Sequence, residues 1–340
     1  MIIRSKAPLR IGLAGGGTDV APYSDIYGGA ILNATISMYA YATIHTRNDN
    51  KIIINSIDKG IRLEFPASEF LEIDGNLDLL KGIYNRVVKD FVKKPLSFEL
   101  STFVDAPPGS GLGSSSTLVV TVLGAFAEWL KLPLGEYDIA RLAYEIERID
   151  LGMAGGKQDQ YAATFGGVNF MEFYENDKVI VNPLRIKNEY LNELAFTLIL
   201  YNTETSRLSS TIIESQTKNV LNKRMSSIEA THRLKEQAIM MKEAILTGNF
   251  DKIGEILNFG WKNKKQLASG ISNPAIDEIY DTAIKNGATG GKISGAGGGG
   301  FMIFYCPNNS RSKVIESLKK FGGQPKRFEF TTHGMVSWKI

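Results

Sequence analysis

Apolar and polar residues alternate along Tyr39 to Thr46 (YAYATIHT), and Lys51 to Ser56 (KIIINS) forms a short apolar run. Both predict strands, and the Asn48-Asp49-Asn50 turn between them predicts that they pair as a hairpin. The rest of residues 1–60 is also β-rich with loops. Residues 79–92 alternate at helical spacing, and Ser97 to Val104 reads as a strand. A glycine-rich loop follows, then helices from about Ser115 to Leu130 and from about Tyr137 to Asp150, the second ending at Gly152. Beyond about residue 190 the pattern becomes mainly helical. Ala195 to Tyr201 predicts a strand. Met225, Ile228, Leu234, Ala238, Met241 and Ile245 recur at three- to four-residue spacing with one gap, and Gly248 closes that helix. Asn273 and Pro274 mark another helix start, with Gly287 at its end. A glycine-rich turn leads to a strand at Phe301 to Tyr305, a helix near 310–320 and two closing strands. These elements predict two domains, 1–190 and 191–340.

Composition narrows the class. The 340 residues are 43% hydrophobic and 22% charged, ordinary for a globular chain and long enough for two cores. The net charge of +3 and pI of 8.7 suit a site that holds anions, and no aromatic-interleaved basic patch points to nucleic acid. A single cysteine, Cys306, excludes an intramolecular disulfide and fits a reducing cytoplasmic setting. The first residues lack the apolar stretch of a signal peptide. Leu118 to Ala127 is only half as long as the roughly 20 residues a membrane span needs, so it predicts a buried helix and no membrane partner.

Four segments carry candidate chemistry. Pro107-Pro-Gly-Ser-Gly-Leu-Gly-Ser-Ser-Ser116 stands between a predicted strand and a predicted helix. Glycines there let successive N–H groups converge, the helix adds its positive end, and the hydroxyls suit phosphate or a hard metal. It has no lysine for a Walker loop and misplaces the third glycine of a dinucleotide fingerprint. The bland alternative is a turn with a serine cap. Ala7-Pro-Leu-Arg10 leads to Gly15-Gly-Gly-Thr18-Asp19, offering a cationic fork and an acceptor for sugar hydroxyls. Lys292-Ile-Ser-Gly-Ala-Gly-Gly-Gly-Gly-Phe301 has more glycine than a hairpin needs. Gly155-Gly-Lys157-Gln-Asp159 places an aspartate after paired glycines, with a lysine nearby to favour its charged form. By themselves the last three also read as turns.

In order and wording the four segments resemble the kinase superfamily of galactokinase, homoserine kinase, mevalonate kinase and phosphomevalonate kinase, over the whole chain. The resemblance implies an α+β fold of two domains: an N-terminal ribosomal-protein-like α+β domain that binds ATP and a C-terminal ferredoxin-like domain, with the active site between them. It implies ATP and Mg2+ as cofactors. Pro107, Gly109, Ser110, Gly111, Leu112, Gly113, Ser114 and Ser115 match the family's phosphate loop. Ser115 and Glu147 match its magnesium ligands, Asp159 its catalytic base and Arg10 the nearby cation. Helical periodicity leaves Glu145 and Glu147 open, because Ile139, Leu142, Ala143 and Ile146 define an apolar face that both flank equally.

Galactokinase-like members carry Gly-Glu-His-Thr-Asp where this chain has Gly15-Gly16-Gly17-Thr18-Asp19. The exchange argues against galactose and leaves room for a bulkier or phosphorylated sugar. The run resembles the branch of heptose-phosphate kinases and bacterial fucokinase domains, as does Tyr201 to Ser209. The implied substrate is a seven-carbon sugar phosphate, phosphorylated at its anomeric hydroxyl. The alternatives are a free deoxyhexose such as L-fucose and a non-catalytic nucleotide or sugar sensor. Gly17, Thr18, Asp19 and Gly297 are expected at the sugar, with Lys157 and Arg207 as cations for its existing phosphate. The expected oligomeric state is monomer or homodimer.

Overall fold

The computed structural model describes residues 1–205 and 209–340. The first half contributes β1 (Ile2–Ala14), α1 (Tyr23–Tyr27), β2 (Gly29–Thr46), β3 (Lys51–Ser56), β4 (Ile61–Pro66), α2 (Asp78–Val87), β5 (Phe98–Val104), α3 (Ser114–Leu130), α4 (Glu136–Glu145), α5 (Gln158–Phe165), β6 (Val168–Phe173) and β7 (Val179–Pro183). The second contributes α6 (Asn188–Thr197), β8 (Leu198–Asn202), α7 (Ser209–Leu221), α8 (Met225–Thr247), α9 (Asp251–Lys264), α10 (Pro274–Lys285), β9 (Gly290–Ile293), β10 (Phe301–Tyr305), α11 (Arg311–Leu318), β11 (Gln324–Lys326) and β12 (Val336–Lys339). None of the described helices is long and apolar enough to cross a membrane.

The first sheet runs β12-β1-β2-β5-β3-β4, with β6 and β7 continuing from the other end of β2. Alternation in β2 turns Ala40, Ala42 and Ile44 inward, where β5 adds Phe98 and Leu100. Helix α3 is apolar on almost every side, as a central helix must be, and Phe126 meets Phe98 edge-on with centroids 5.4 Å apart. The second sheet has the order β11-β8-β10-β9, all antiparallel. With helices between β8 and β9 and α11 between β10 and β11, this is the βαββαβ ferredoxin-like arrangement.

Two local expectations change. β2 and β3 do not form a hairpin: β5 lies between them, antiparallel to β2 and parallel to β3. Alternation identifies strands, but packing chooses their neighbours. The strand expected from Ala195 begins at Leu198, because the preceding residues end α6, where Thr197 Oγ1 donates to Glu193 O at 2.7 Å.

The tail returns to the first sheet, where β12 pairs with β1 and Phe330 bridges Ile36. On its way Met335 N donates to Thr164 O of α5 at 3.2 Å. Met335 also lies so close to Gly124 of α3 that a Cβ there would strike its sulfur. The tail therefore braces both α3 and α5.

Candidate active site

The loop between β5 and α3 has glycines at alternate positions, Gly109, Gly111 and Gly113, with φ of 76°, 76° and 77°. Left-handed backbone at each second residue is costly for any residue with a Cβ, and it curls the peptide N–H groups toward one concavity. Ser114 and Ser115 then open α3, whose N-terminus faces the same space. The loop is held from behind. Arg10 N donates to Leu112 O at 3.1 Å, Phe301 N to Ser110 O at 3.0 Å, and Ser294 Oγ to Gly111 O at 2.8 Å. A Cβ at Gly111 would strike Ser294 O, and one at Gly300 would strike Ser110 O. The C-terminal motif is rich in glycine because its backbone lies directly on the phosphate-type loop.

A cleft of about 530 Å³ opens in front of this loop. Gly109, Gly111, Gly113, Ser114 and Ser115 line it, together with Arg10, Asp19 and Asp159. Arg10 Nε donates to Asp159 Oδ1 at 2.7 Å, Arg10 Nη2 approaches the same oxygen at 2.6 Å, and Nη1 donates to Gly111 O at 2.6 Å. One buried guanidinium thus fixes both the carboxylate and the loop. A Cβ at Gly113 would lie 3.1 Å from Asp159 Cγ, so glycine lets the carboxylate reach the foot of the loop.

Asp19 is buried at the floor of the cleft. Its Oδ2 accepts from Gln158 N at 3.1 Å, and a side chain at Gly156 would displace it. Burial pushes its carboxyl above the ordinary range; the Gln158 N–H opposes this, and the charge of Asp159 adds to it.

Glu147 is fully buried, with Oε1 accepting from Ser115 Oγ at 3.3 Å and Oε2 from Gln160 Nε2 at 2.5 Å. The choice between Glu145 and Glu147 is made by a π-helical turn over Ile146–Asp150. Wider winding there turns Glu147 toward the interior, which an ideal 3.6-residue period does not predict. Glu145 points outward to Arg86 and Arg141.

Several expected site residues do other work. Lys157 does not enter the cleft: its buried ammonium pairs with Asp25 at 3.2 Å and Asp177 at 2.8 Å, and the cation beside Asp159 is Arg10. Thr18 is buried, its single hydroxyl hydrogen shared between Gly15 O and Ala30 O, both at 2.9 Å, so it shapes the glycine turn without facing the cleft. Gly297 is packed on Ile271, while its neighbours Gly295 and Ala296 line the cleft. Ser110 and Leu112 are buried supports of the loop, and Pro107 is exposed at its start. Arg207 lies outside the described residues.

Sequence reasoning missed Lys264, Gln216 and Gln160. Lys264 and Gln216 line the cleft beside Gly17, and Lys264 Nζ donates to Gly16 O at 2.9 Å. Desolvation lowers the Lys264 ammonium to about 8, against an opposing pull from Asp19. A signal was available: Lys264 continues the buried stripe Ile253, Leu257, Gly260 and Trp261 at helical spacing, where a lysine is out of place.

The family model for the GHMP kinases N terminal domain matches residues 78–167, and that for the GHMP kinases C terminal matches residues 241–324. The chain is 53% identical over 338 residues to D-glycero-alpha-D-manno-heptose 7-phosphate kinase of Campylobacter jejuni, covering 99% of each. A crystal structure of a D-glycero-D-manno-heptose 1-phosphate kinase from Bacteroides thetaiotaomicron superposes with a TM-score of 0.85 at 47% identity, covering 99% of both chains. The L-fucokinase/L-fucose-1-P guanylyltransferase of Bacteroides fragilis is 28% identical over 355 residues, covering 93% of this chain and 36% of that protein.

Proposed function

The chain belongs to the GHMP kinase family, whose members take ATP as phosphoryl donor, and on that premise we propose that it phosphorylates the anomeric hydroxyl of D-glycero-D-manno-heptose 7-phosphate to give the 1,7-bisphosphate. The observation that carries this reading is the contact between Asp159 and the loop. An oriented carboxylate stands against Gly113, where the cradle for a polyphosphate ends. A hydroxyl entering the cleft meets an acceptor for its proton and, beside it, N–H groups and a helix N-terminus suited to phosphate. The 53%-identical relative carries the name of a heptose 7-phosphate kinase, which supports an acceptor already bearing a phosphate.

In this reading Asp159 orients the anomeric hydroxyl and takes its proton as the sugar oxygen bonds the γ-phosphorus of ATP and the bond from that phosphorus to ADP breaks. Arg10 keeps the carboxylate and the loop in register. Asp19 accepts a hydrogen bond from a ring hydroxyl. The donor set of Ser115 Oγ and Glu147 Oε1, two adjacent oxygens at the cleft wall, fits magnesium. No group of three carboxylate, imidazole or thiol side chains gathers as a metal site among the described residues, so the remaining ligands would be phosphate oxygens and water. When bound, magnesium supplies charge neutralisation for phosphoryl transfer.

The test is a screen of sugars and sugar phosphates with ATP and magnesium, with the phosphate position in the product read by 31P NMR. The expected product is a 1,7-bisphosphate. Efficient turnover of free L-fucose with no reaction of heptose 7-phosphate would establish the fucokinase alternative instead. Binding of ATP or of a sugar with no ADP release in any of the reactions would point to a sensor.

A further inference from the structure

Gly17, Lys264 and Gln216 meet on the cleft wall, and the mechanism above uses none of them. Gly17 has φ of 107°, and a Cβ there would stand 3.2 Å from Leu267 Cδ2, 3.3 Å from Lys264 Nζ and 3.5 Å from Gln216 Oε1. The absence of a side chain at Gly17 leaves room beside both polar groups.

Lys264 is 3% exposed, yet no carboxylate lies within 4.0 Å of its ammonium among the described residues. Its hydrogen bond to Gly16 O uses one of three donors. Gln216 is 6% exposed, and its Nε2 has no partner among the described residues. An unsatisfied buried donor is costly, and Gln216 Nε2, in the same cleft wall as a buried ammonium that no carboxylate pairs, describes a place for an anion. The fold builds this place deliberately close: Gly290 of β9 lies backbone-to-backbone on Gly254 of α9, and α9 ends on Lys264 against the glycine turn. The neighbouring charges are Asp19, whose carboxylate favours a charged Lys264, and Arg10, which opposes it.

We propose that Lys264 and Gln216 form the subsite for the phosphate monoester that the acceptor sugar already carries, Lys264 supplying the charge and Gln216 a neutral donor. This rests on the reading that the acceptor is a sugar phosphate. A phosphate monoester offers three acceptor oxygens, matching the two free ammonium protons and the amide. A side chain at Gly17 would crowd the Lys264 ammonium and the Gln216 amide as well as Leu267.

The test compares full-length wild type with Lys264→Met and Gln216→Leu, using heptose 7-phosphate and unphosphorylated heptose under saturating ATP and magnesium. Wild type is expected to prefer the phosphate ester. Lys264→Met should lower that preference, as a ratio of kcat/KM values, by about tenfold or more through KM, and Gln216→Leu by about three- to tenfold. Preference retained in both variants overturns the subsite while leaving the proposed reaction intact. So does a rise in KM for ATP in place of KM for the ester, which would assign Lys264 to the donor. Preference kept in Lys264→Met but lost in Arg207→Ala would hand the role to Arg207. A wild type with no preference removes the sugar-phosphate reading itself. If Lys264→Met does not fold, Gln216→Leu decides the question by the same ratio.

Discussion

Asp159 is the residue on which the proposed chemistry turns most directly. Asp159→Asn keeps the shape and a hydrogen-bond acceptor for Arg10 but removes the base, so kcat should fall by about 10²–10⁴. Circular dichroism should show a folded chain. Near-normal turnover by a folded variant would reduce Asp159 to a turn residue. The buried lysines make a second prediction. Desolvation holds Lys264 at about 8 and Lys292, which donates to Gly12 O at 2.7 Å, at about 7, both below the ordinary 10.5. Above these values the unfolded chain binds more protons than the folded one, so stability rises with pH. Burial pushes the Cys306 thiol up to about 12, which works the opposite way above about pH 9. The melting temperature of the free protein should therefore climb from pH 7 to 8.5, and climb less in Lys264→Met. A flat or falling curve counts against buried, partly neutral lysines. Affinity for a phosphate ester should move in the other direction, because Lys264 loses its charge over the same range. Much of this site is written in local sequence: Arg10, Asp159 and the serine loop each stand in a compact motif. Lys264 and Gln216 are not, because no local pattern says which distant helix will cover Gly17. Lys157 misled for the related reason that neighbours in sequence left the turn in different directions.

Among elements, α5 and the π turn after α4 act together. Gln160, one residue after Asp159, donates to Glu147 Oε2 and, at 3.1 Å, to Ser116 Oγ. The same helix thus aims the proposed base and steadies the proposed metal carboxylate. Glu147→Gln should raise the magnesium concentration needed for half-maximal rate more than it raises KM for the sugar. Gln160→Leu should do the same to a smaller degree, since Glu147 keeps Ser115. A magnesium titration with unchanged midpoints in both variants would leave metal binding to ATP alone. Helices with strong punctuation were legible nearly to the residue. Asn273 caps α10 by accepting from Ile276 N at 3.0 Å, and α8 stops before Gly248 in left-handed backbone. Strand partners were not legible, since β3 takes β5 from more than forty positions away. The π turn was hidden as well, because it breaks the period by which helices are recognised.

Across the whole molecule, the glycine turn of the first half is clasped by side chains of the second. Gly12 O, Gly15 N and Gly16 O are bonded by Lys292, Gln237 and Lys264 respectively. Neither half completes the cleft alone. The returning tail extends this dependence to the last residues. Deleting residues 332–340 would uncover the edge of β1 and remove Met335 from between α3 and α5. Such a chain should melt several degrees lower, and its kcat should fall although no cleft residue is lost. Unaltered melting and turnover would show that the brace is dispensable. The same strand sets a timetable. A ribosome makes β1 more than three hundred residues before β12, and pairing across so long a separation is slow to form. Until β12 emerges the first sheet waits with one edge open, and α3 and α5 wait unbraced. Through that interval a nascent chain is exposed to edge-to-edge association, and the two helices that present the serine loop and Asp159 are locked only once β12 has paired.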